Sequence, residues 1–344
     1  VAIKPKTENI VFVMTDGLRW QELFRGADPA LMNKESGVGD LDALKKQFWR
    51  DSIEERRKAL MPFLWTEIAG KGQIFGNRDK GSNMSVTNGF NFSYPGYNET
   101  LTGFADPRID SNKKVPNPNV TVLEWLNKNP KYKGKVAAFG AWDVISAAVN
   151  GERGGFVANA GYDPLLAAPV TDKIATINKL KAETVVWGDE PFDSFAFQTA
   201  MEYVKLHKPR VLYISLGETD DWAHDGKYEL YLKSANRVDQ YLKQVWDTLQ
   251  AMPQYKGKTT MIFSPDHGRG EAPTEWKGHG QRIPDSKYIW AAFMGPDTPV
   301  MGERSNIPEL TQSQLAATLA ALLGEDYASA EKRAGRPIQD VLPH

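Results

Sequence analysis

Three short apolar runs of this chain each end in acidic residues. Asn9–Thr15 (NIVFVMT) leads into Asp16-Gly17, Arg210–Leu216 (RVLYISL) into Gly217-Glu218-Thr219-Asp220, and Thr259–Ser264 (TTMIFS) into Pro265-Asp266-His267-Gly268. Runs of this kind, bounded by turn residues, read as buried strands. Lys135–Gly140 (KVAAFG) is a fourth such run and Tyr288–Met294 (YIWAAFM) a fifth candidate. Between them lie segments with helical spacing: Met61–Ala69, Thr121–Asn127, Phe192–Lys205, Tyr228–Gln250, and Ala/Leu-rich Thr311–Leu323, which stops at Gly324. Alternating strands and helices predict an α/β chain, a three-layer αβα sandwich with a largely parallel central sheet. Residues 1–344 are expected to form one domain. Phe24–Arg57 and Phe104–Asn119, polar, charged or rich in Pro and Gly, are expected to be excursions flanking a site.

In an open parallel sheet, ligands bind beyond the carboxyl ends of the strands. Three strands therefore aim carboxylates at one edge, where they repel each other, the more so when buried. Bound cations relieve that repulsion. The histidines point the same way. Of His207, His224, His267, His279 and His344, three fall in or just after these segments. Asp220 and His224 are four apart, so a helical turn puts them on one face. Asp266 and His267 are neighbours at a strand end, and His279 lies in the glycine-flanked WKGHG. Taken singly, each Asp reads as a turn or cap residue and each His as a surface residue. Taken together they point to a two-metal site. Sulfur-free Asp/His ligands suit zinc, with manganese or iron as alternatives.

Composition removes other classes. The 42 basic and 43 acidic residues leave a formal charge of −1, which gives no nucleic-acid surface that works by neutralising phosphates. There is no cysteine, so disulfides, thiolate chemistry and cysteine-ligated zinc are excluded. No apolar run is long enough to span a bilayer. The sequence starts at Val1 without a Met. Removal of an export signal is one explanation, and it gives the expectation of a periplasmic or secreted protein.

A serine completes the set. In NFSYPGYNETLTG, Ser93 stands before a Pro95-Gly96 turn, with a helix expected to open at Asn98–Leu101. Free backbone N–H groups at a helix start suit an anion. By itself Ser93 reads equally as an N-cap or turn serine.

VMTDGLRW, FSYPGYNETLTG, GETDDWAH, SPDHGRG and KGHG occur in this order between Asn9 and Gly280. Together they resemble the alkaline phosphatase superfamily. The resemblance implies a single catalytic domain with two divalent metals, zinc first among the candidates. Asp220, His224 and His279 would hold one ion; Asp16, Asp266, His267 and the Ser93 oxygen would hold the other. Asp221 competes with Asp220, but only Asp220 gives the Asp-x-x-x-His spacing of the phosphodiesterase branch. Ser93 would be the nucleophile, activated by a metal, with a phosphoseryl intermediate hydrolysed in a second step.

The branch is less defined. Nucleotide pyrophosphatases and phosphodiesterases carry Thr followed by Phe-Pro-Asn, where this chain has Ser93-Tyr94-Pro95-Gly96. Asn88, Asn91 or Asn98 is the candidate to substitute for the missing Asn. Sulfatases need an Arg where Tyr97 stands. A monoester carries more charge than a diester and calls for an extra cation, for which Arg153 in NGERGGF is the candidate. Arg269 reads as a brace for the metal carboxylates. Trp20, Trp142 and Trp276 read as core residues with stacking on a leaving group as the alternative. The expected activity is hydrolysis of a small-molecule phosphate ester, monoester ahead of diester. Phosphodiesterase, sulfatase-like and phosphoryl transferase activities are alternatives, as is a non-catalytic metal or phospholigand-binding protein.

Overall fold

The apolar runs are strands of one sheet in the computed structural model, which describes residues 3–344. The strands are β1 Asn9–Thr15, β2 Gly72–Phe75, β3 Met84–Ser85, β4 Val136–Gly140, β5 Val157–Ala160, β6 Val211–Leu216, β7 Thr259–Ser264, β8 Ala291–Met294, β9 Gly302–Glu303 and β10 Leu310–Thr311. Eight of them form a sheet in the order β5-β4-β6-β1-β7-β8-β2-β9, while β3 and β10 pair separately. β1 lies at the centre, parallel to both β6 and β7, with Val13 opposite Ile214 and Phe263. Only β8 runs against its neighbours.

Side chains on the strands alternate between two cores. Val11, Val13, Phe139, Ile214 and Phe263 belong to one. Ile10, Phe12, Met14, Tyr213 and Ile262 belong to the other. The first core is closed by the helices Asp193–His207 and Tyr228–Gln250, the second by Ser93–Thr102, Val122–Lys128 and Leu315–Leu322. In Tyr228–Gln250 the buried residues Tyr231, Leu232, Ala235, Val238, Leu242, Val245 and Leu249 form one stripe. The result is a three-layer αβα sandwich with a mostly parallel sheet. No helix of the described residues is long and apolar enough to cross a membrane.

The Phe24–Arg57 excursion contains regular structure that its polarity hides. Leu41–Phe48 and most of Ile53–Leu60 lie in it, capped by the Asp40 and Ser52 side chains. Each helix buries a narrow stripe (Leu44 and Phe48, then Leu60) in the first core. Phe104–Asn119 has no helix or strand. Met61–Ala69 is not an α-helix throughout: Leu64–Ile68 is wound more loosely as a π-turn, leading into Ala69–Lys71. Its entrance is capped by the buried Asp239 carboxylate, which accepts the N–H groups of Phe63 (2.8 Å) and Leu64 (2.9 Å).

The helix expected from Asn98 begins earlier, at Ser93. Pro95 is tolerated there because first-turn residues have no intrahelical acceptor for an N–H. Gly96 is required by packing. A Cβ at that position would collide with the carbonyl oxygen of Asp266 and lie 3.0 Å from its carbonyl carbon.

Candidate active site

The three acid-bearing strand ends meet the start of the Ser93–Thr102 helix. Asp16 follows β1, Asp220 and His224 lie on the seven-residue helix Glu218–His224 after β6, and Asp266 and His267 follow β7. The Ser93 hydroxyl is 3.4 Å from Asp16 Oδ1 and 3.3 Å from His267 Nε2. His267 Nε2 also lies 3.1 Å from Asp16 Oδ1, 3.4 Å from Asp266 Oδ2 and 4.0 Å from Asp220 Oδ1. On the other side, His224 Nε2 is 3.1 Å from both Asp220 Oδ2 and His279 Nε2. His279 Nε2 is 3.6 Å from Asp220 Oδ1, and its ring stacks on His267 with centroids 3.9 Å apart. Two groups able to hold a cation result: Asp16, Asp266 and His267, and next to it Asp220, His267 and His279.

The chain turns at Gly17, whose φ of +60° places its N–H 3.0 Å from Asp266 Oδ1. A side chain there would press on Asp220 Oδ1 and Arg269, both 2.7 Å from the ideal Cβ. His267 Nδ1 lies 2.7 Å from its neighbour's carbonyl, Gly268 O, and His279 Nδ1 lies 2.9 Å from Asn91 O. Donation to those carbonyls leaves Nε2 of both rings as the basic atom facing the cluster. Arg269, fully buried, pairs with Asp220 and donates to the carbonyls of Trp276 (2.7 Å) and Lys277 (2.6 Å).

Burial would raise the Asp220 carboxyl, but the Arg269 guanidinium and the His224 ring outweigh it and hold it well below the usual range. Asp266 has no guanidinium beside it, only the His267 ring 3.4 Å from its Oδ2. Burial and the Asp16 charge push it well above that range. Burial opposes protonation of His267, yet Asp266 and Asp16 raise it to about 9. His279 is driven well down by burial and by His267. Asp266 Oδ2 is buried with no hydrogen-bond partner. An orphaned carboxylate oxygen among imidazoles and further carboxylates fits a divalent cation.

The structure does not bring Arg153 to this cluster. Its guanidinium pairs with Glu124 (2.7 Å) and donates to the carbonyls of Pro118 and Asn119, fastening the start of the helix Val122–Lys128. Trp276 is buried against Tyr228 and Tyr231, and Trp20 is buried in the first core. Trp142, half-buried, stays near the site with its ring 6.2 Å from that of Tyr97. Asn98 is spent inside the protein, accepting from Asn117 and Asn119. Asn88 accepts the N–H groups of Phe90 and Asn91. Asp221 turns from the cluster toward the buried Glu190 carboxyl.

Two residues enter that the sequence did not single out. Tyr97, four residues after Ser93 and so on the same helix face, donates its hydroxyl to Asp16 Oδ2 at 2.7 Å. Asn112, exposed in the irregular 104–119 segment, accepts the Tyr94 N–H through Oδ1 at 2.9 Å. With Pro95 lacking an N–H, the helix start offers an anion fewer backbone donors than the sequence suggested.

By sequence the chain matches no protein-family model and no curated protein. Solved structures do match. Alkaline phosphatase PafA is 12% identical with a TM-score of 0.61, over 99% of this chain and 100% of that one. A protein in the alkaline phosphatase superfamily from Vibrio parahaemolyticus is 14% identical at a TM-score of 0.53, covering 99% of this chain and 71% of that one. The fold is that of the alkaline phosphatase superfamily. A phosphonate monoester hydrolase from Silicibacter pomeroyi shares it, at 12% identity and a TM-score of 0.54, over 97% of this chain and 76% of that one. Neighbours in this superfamily fold thus differ in the ester that they are named for.

Proposed function

We propose that this chain is a metal-dependent phosphate ester hydrolase with Ser93 as nucleophile. The reading is carried by one observation: the Ser93 hydroxyl, at a helix start, touches Asp16 and His267 where two adjoining Asp/His groups converge. Asp16, Asp266, His267 and Ser93 would hold one zinc ion, and Asp220, His224 and His279 a second. Bound there, the ions would lower the pKa of the serine hydroxyl and neutralise charge on the leaving oxygen.

The chain's own groups do the rest. Ser93 Oγ attacks phosphorus, the bond to the leaving oxygen breaks, and water hydrolyses the phosphoseryl ester. Tyr97 keeps Asp16 oriented through its 2.7 Å hydrogen bond. Asn112, whose Oδ1 is occupied by the Tyr94 N–H, has its amide N–H₂ left to donate to a non-bridging oxygen. Monoester hydrolysis remains the first reading. The position of Arg153 favours a second, diester hydrolysis, because a diester carries less charge and dispenses with that guanidinium.

The test uses the purified protein with zinc or manganese and aryl phosphate monoesters, diesters and sulfate esters. Turnover of a phosphate ester that is abolished by a chelator and falls at least about 1000-fold in Ser93→Ala is expected. Failure to turn over any ester with any divalent metal, or full activity in Ser93→Ala, overturns the reading.

A further inference from the structure

One residue outside the proposed ligand set links the loop that leads into Ser93 to His279 through its backbone. Asn91 is two residues before Ser93 and is buried. Its φ is +54°, the left-handed region that side-chain-bearing residues avoid and Asn tolerates better than most. Its carbonyl oxygen is 2.9 Å from His279 Nδ1, although the two are far apart in sequence. The reversal at Asn91 thus turns a carbonyl toward the imidazole and, one residue later, lets Phe92 start the Ser93 helix in extended conformation.

The loop is held from both sides. Asn88 Oδ1 accepts the N–H groups of Phe90 (2.9 Å) and Asn91 (3.0 Å), closing the turn that precedes the reversal. Thr87 is tied to the Glu99 carboxylate, which projects from the Ser93 helix itself: the Thr87 N–H reaches Glu99 Oε1 at 2.6 Å. Residues 87–92, and the Asn91 carbonyl among them, are therefore tied to that helix. His279 has no regular element of its own to hold it. It follows the short turn Glu275–Lys277, and the hydrogen bond to Asn91 is what fixes which ring nitrogen faces His224 and Asp220.

We propose that Asn91 is a positioning residue, whose left-handed backbone sets the ring orientation and tautomer of His279 from the same loop that presents Ser93. It adds to the function proposed above a coupling between the nucleophile and the far metal group. Any substitution that abandons the left-handed conformation swings the carbonyl away, and His279 loses its anchor while its own side chain is intact. Glycine adopts this conformation freely, so Asn91→Gly removes the side chain and keeps the backbone.

The experiment compares Asn91→Gly and Asn91→Ala with the parent protein. In metal-free protein, NMR of labelled histidine reads the His279 tautomer and the protection of its Nδ1–H. The expected result is a protected Nδ1–H in the parent and in Asn91→Gly, and its loss in Asn91→Ala. Zinc affinity by chelator competition should stay within about threefold in Asn91→Gly and drop about 10- to 100-fold in Asn91→Ala, the range for an orienting partner of a ligand. In a His279→Ala background the Asn91→Ala change should add little. A thermal melt of each variant identifies any that fail to fold, and Asn91→Gly keeps the comparison usable if Asn91→Ala does. An unprotected Nδ1–H in the parent, or equal zinc affinities in the two folded Asn91 variants, overturns the proposal. A parent that shows the protected Nδ1–H but binds no metal sinks the phosphatase reading alone.

Discussion

Replacing Gly96 by alanine adds one methyl group on the third residue after Ser93, the proposed nucleophile. Its Cβ would overlap the Asp266 carbonyl oxygen and stand 3.0 Å from the carbonyl carbon and 3.2 Å from the Asp266 Cβ. Nonbonded carbons prefer about 3.5–4.0 Å, so the helix and the Asp266 turn must separate by roughly 0.5–1 Å. Neither side yields cheaply. The Asp266 carbonyl is also held by Gln312 Nε2 at 2.7 Å, and both Asp266 and Gln312 are fully buried. Overpacking of this kind costs about 1–3 kcal/mol of stability. The larger effect is expected on activity, because the two parts forced apart are those carrying Ser93 and Asp266. A misplacement of about 1 Å can lower turnover roughly 100-fold. The assay is kcat on an aryl phosphate for Gly96→Ala beside the parent, with urea denaturation to measure stability. A fall of kcat by about 100-fold with a folded protein is expected. Turnover within about threefold of the parent, with stability unchanged, would falsify the claim that this glycine sets the distance between Ser93 and Asp266.

Tyr97→Phe should remove the hydroxyl that holds Asp16 Oδ2, at a cost of about 1–3 kcal/mol in urea denaturation and about 10-fold in zinc affinity; an unchanged zinc affinity counts against an orienting role. The buried Asp239 gives a pH prediction. Burial raises its carboxyl from 3.8 to about 7, so it holds its proton more tightly folded than unfolded. Its contribution is complete below about pH 3.8 and is lost as pH rises through about 7. Between pH 5 and 8 the stability of Asp239→Asn should therefore gain on the parent by about 3 kcal/mol, read as the difference between their urea curves; a pH-independent difference refutes this.

The strand ends were legible because a parallel sheet sends the carboxyl ends of β1, β6 and β7 to one edge, whatever the intervening chain does. Asp16, Asp220 and Asp266 meet for that topological reason, and His224 and His267 follow by local spacing. Arg153 was not legible. A guanidinium's partner depends on which helix start lies beside it, and here that is Glu124 of a distant segment. Tyr97 could have been found from its four-residue spacing to Ser93, had the helix been read from Ser93 onward. The Pro95-Gly96 pair argued for a turn, whereas first-turn tolerance of proline and a close approach to Asp266 put both inside the helix. β9 is too short to leave a pattern, and Gln73 in β2 and Asn159 in β5 interrupt the apolar run that marks a buried strand. The polar helices of the Phe24–Arg57 excursion failed for the opposite reason, since most of their surface is wet.

The central position of β1 carries a consequence for how the protein matures. Its neighbours β6 and β7 come much later in the polypeptide, so Asp16 cannot meet Asp220 until β6 has been made, nor Asp266 until β7 has, and these distant strands have closed on β1. Until those strands close, Asp16, Asp220 and Asp266 are scattered donors, and the Asp/His cluster beside Ser93 does not exist.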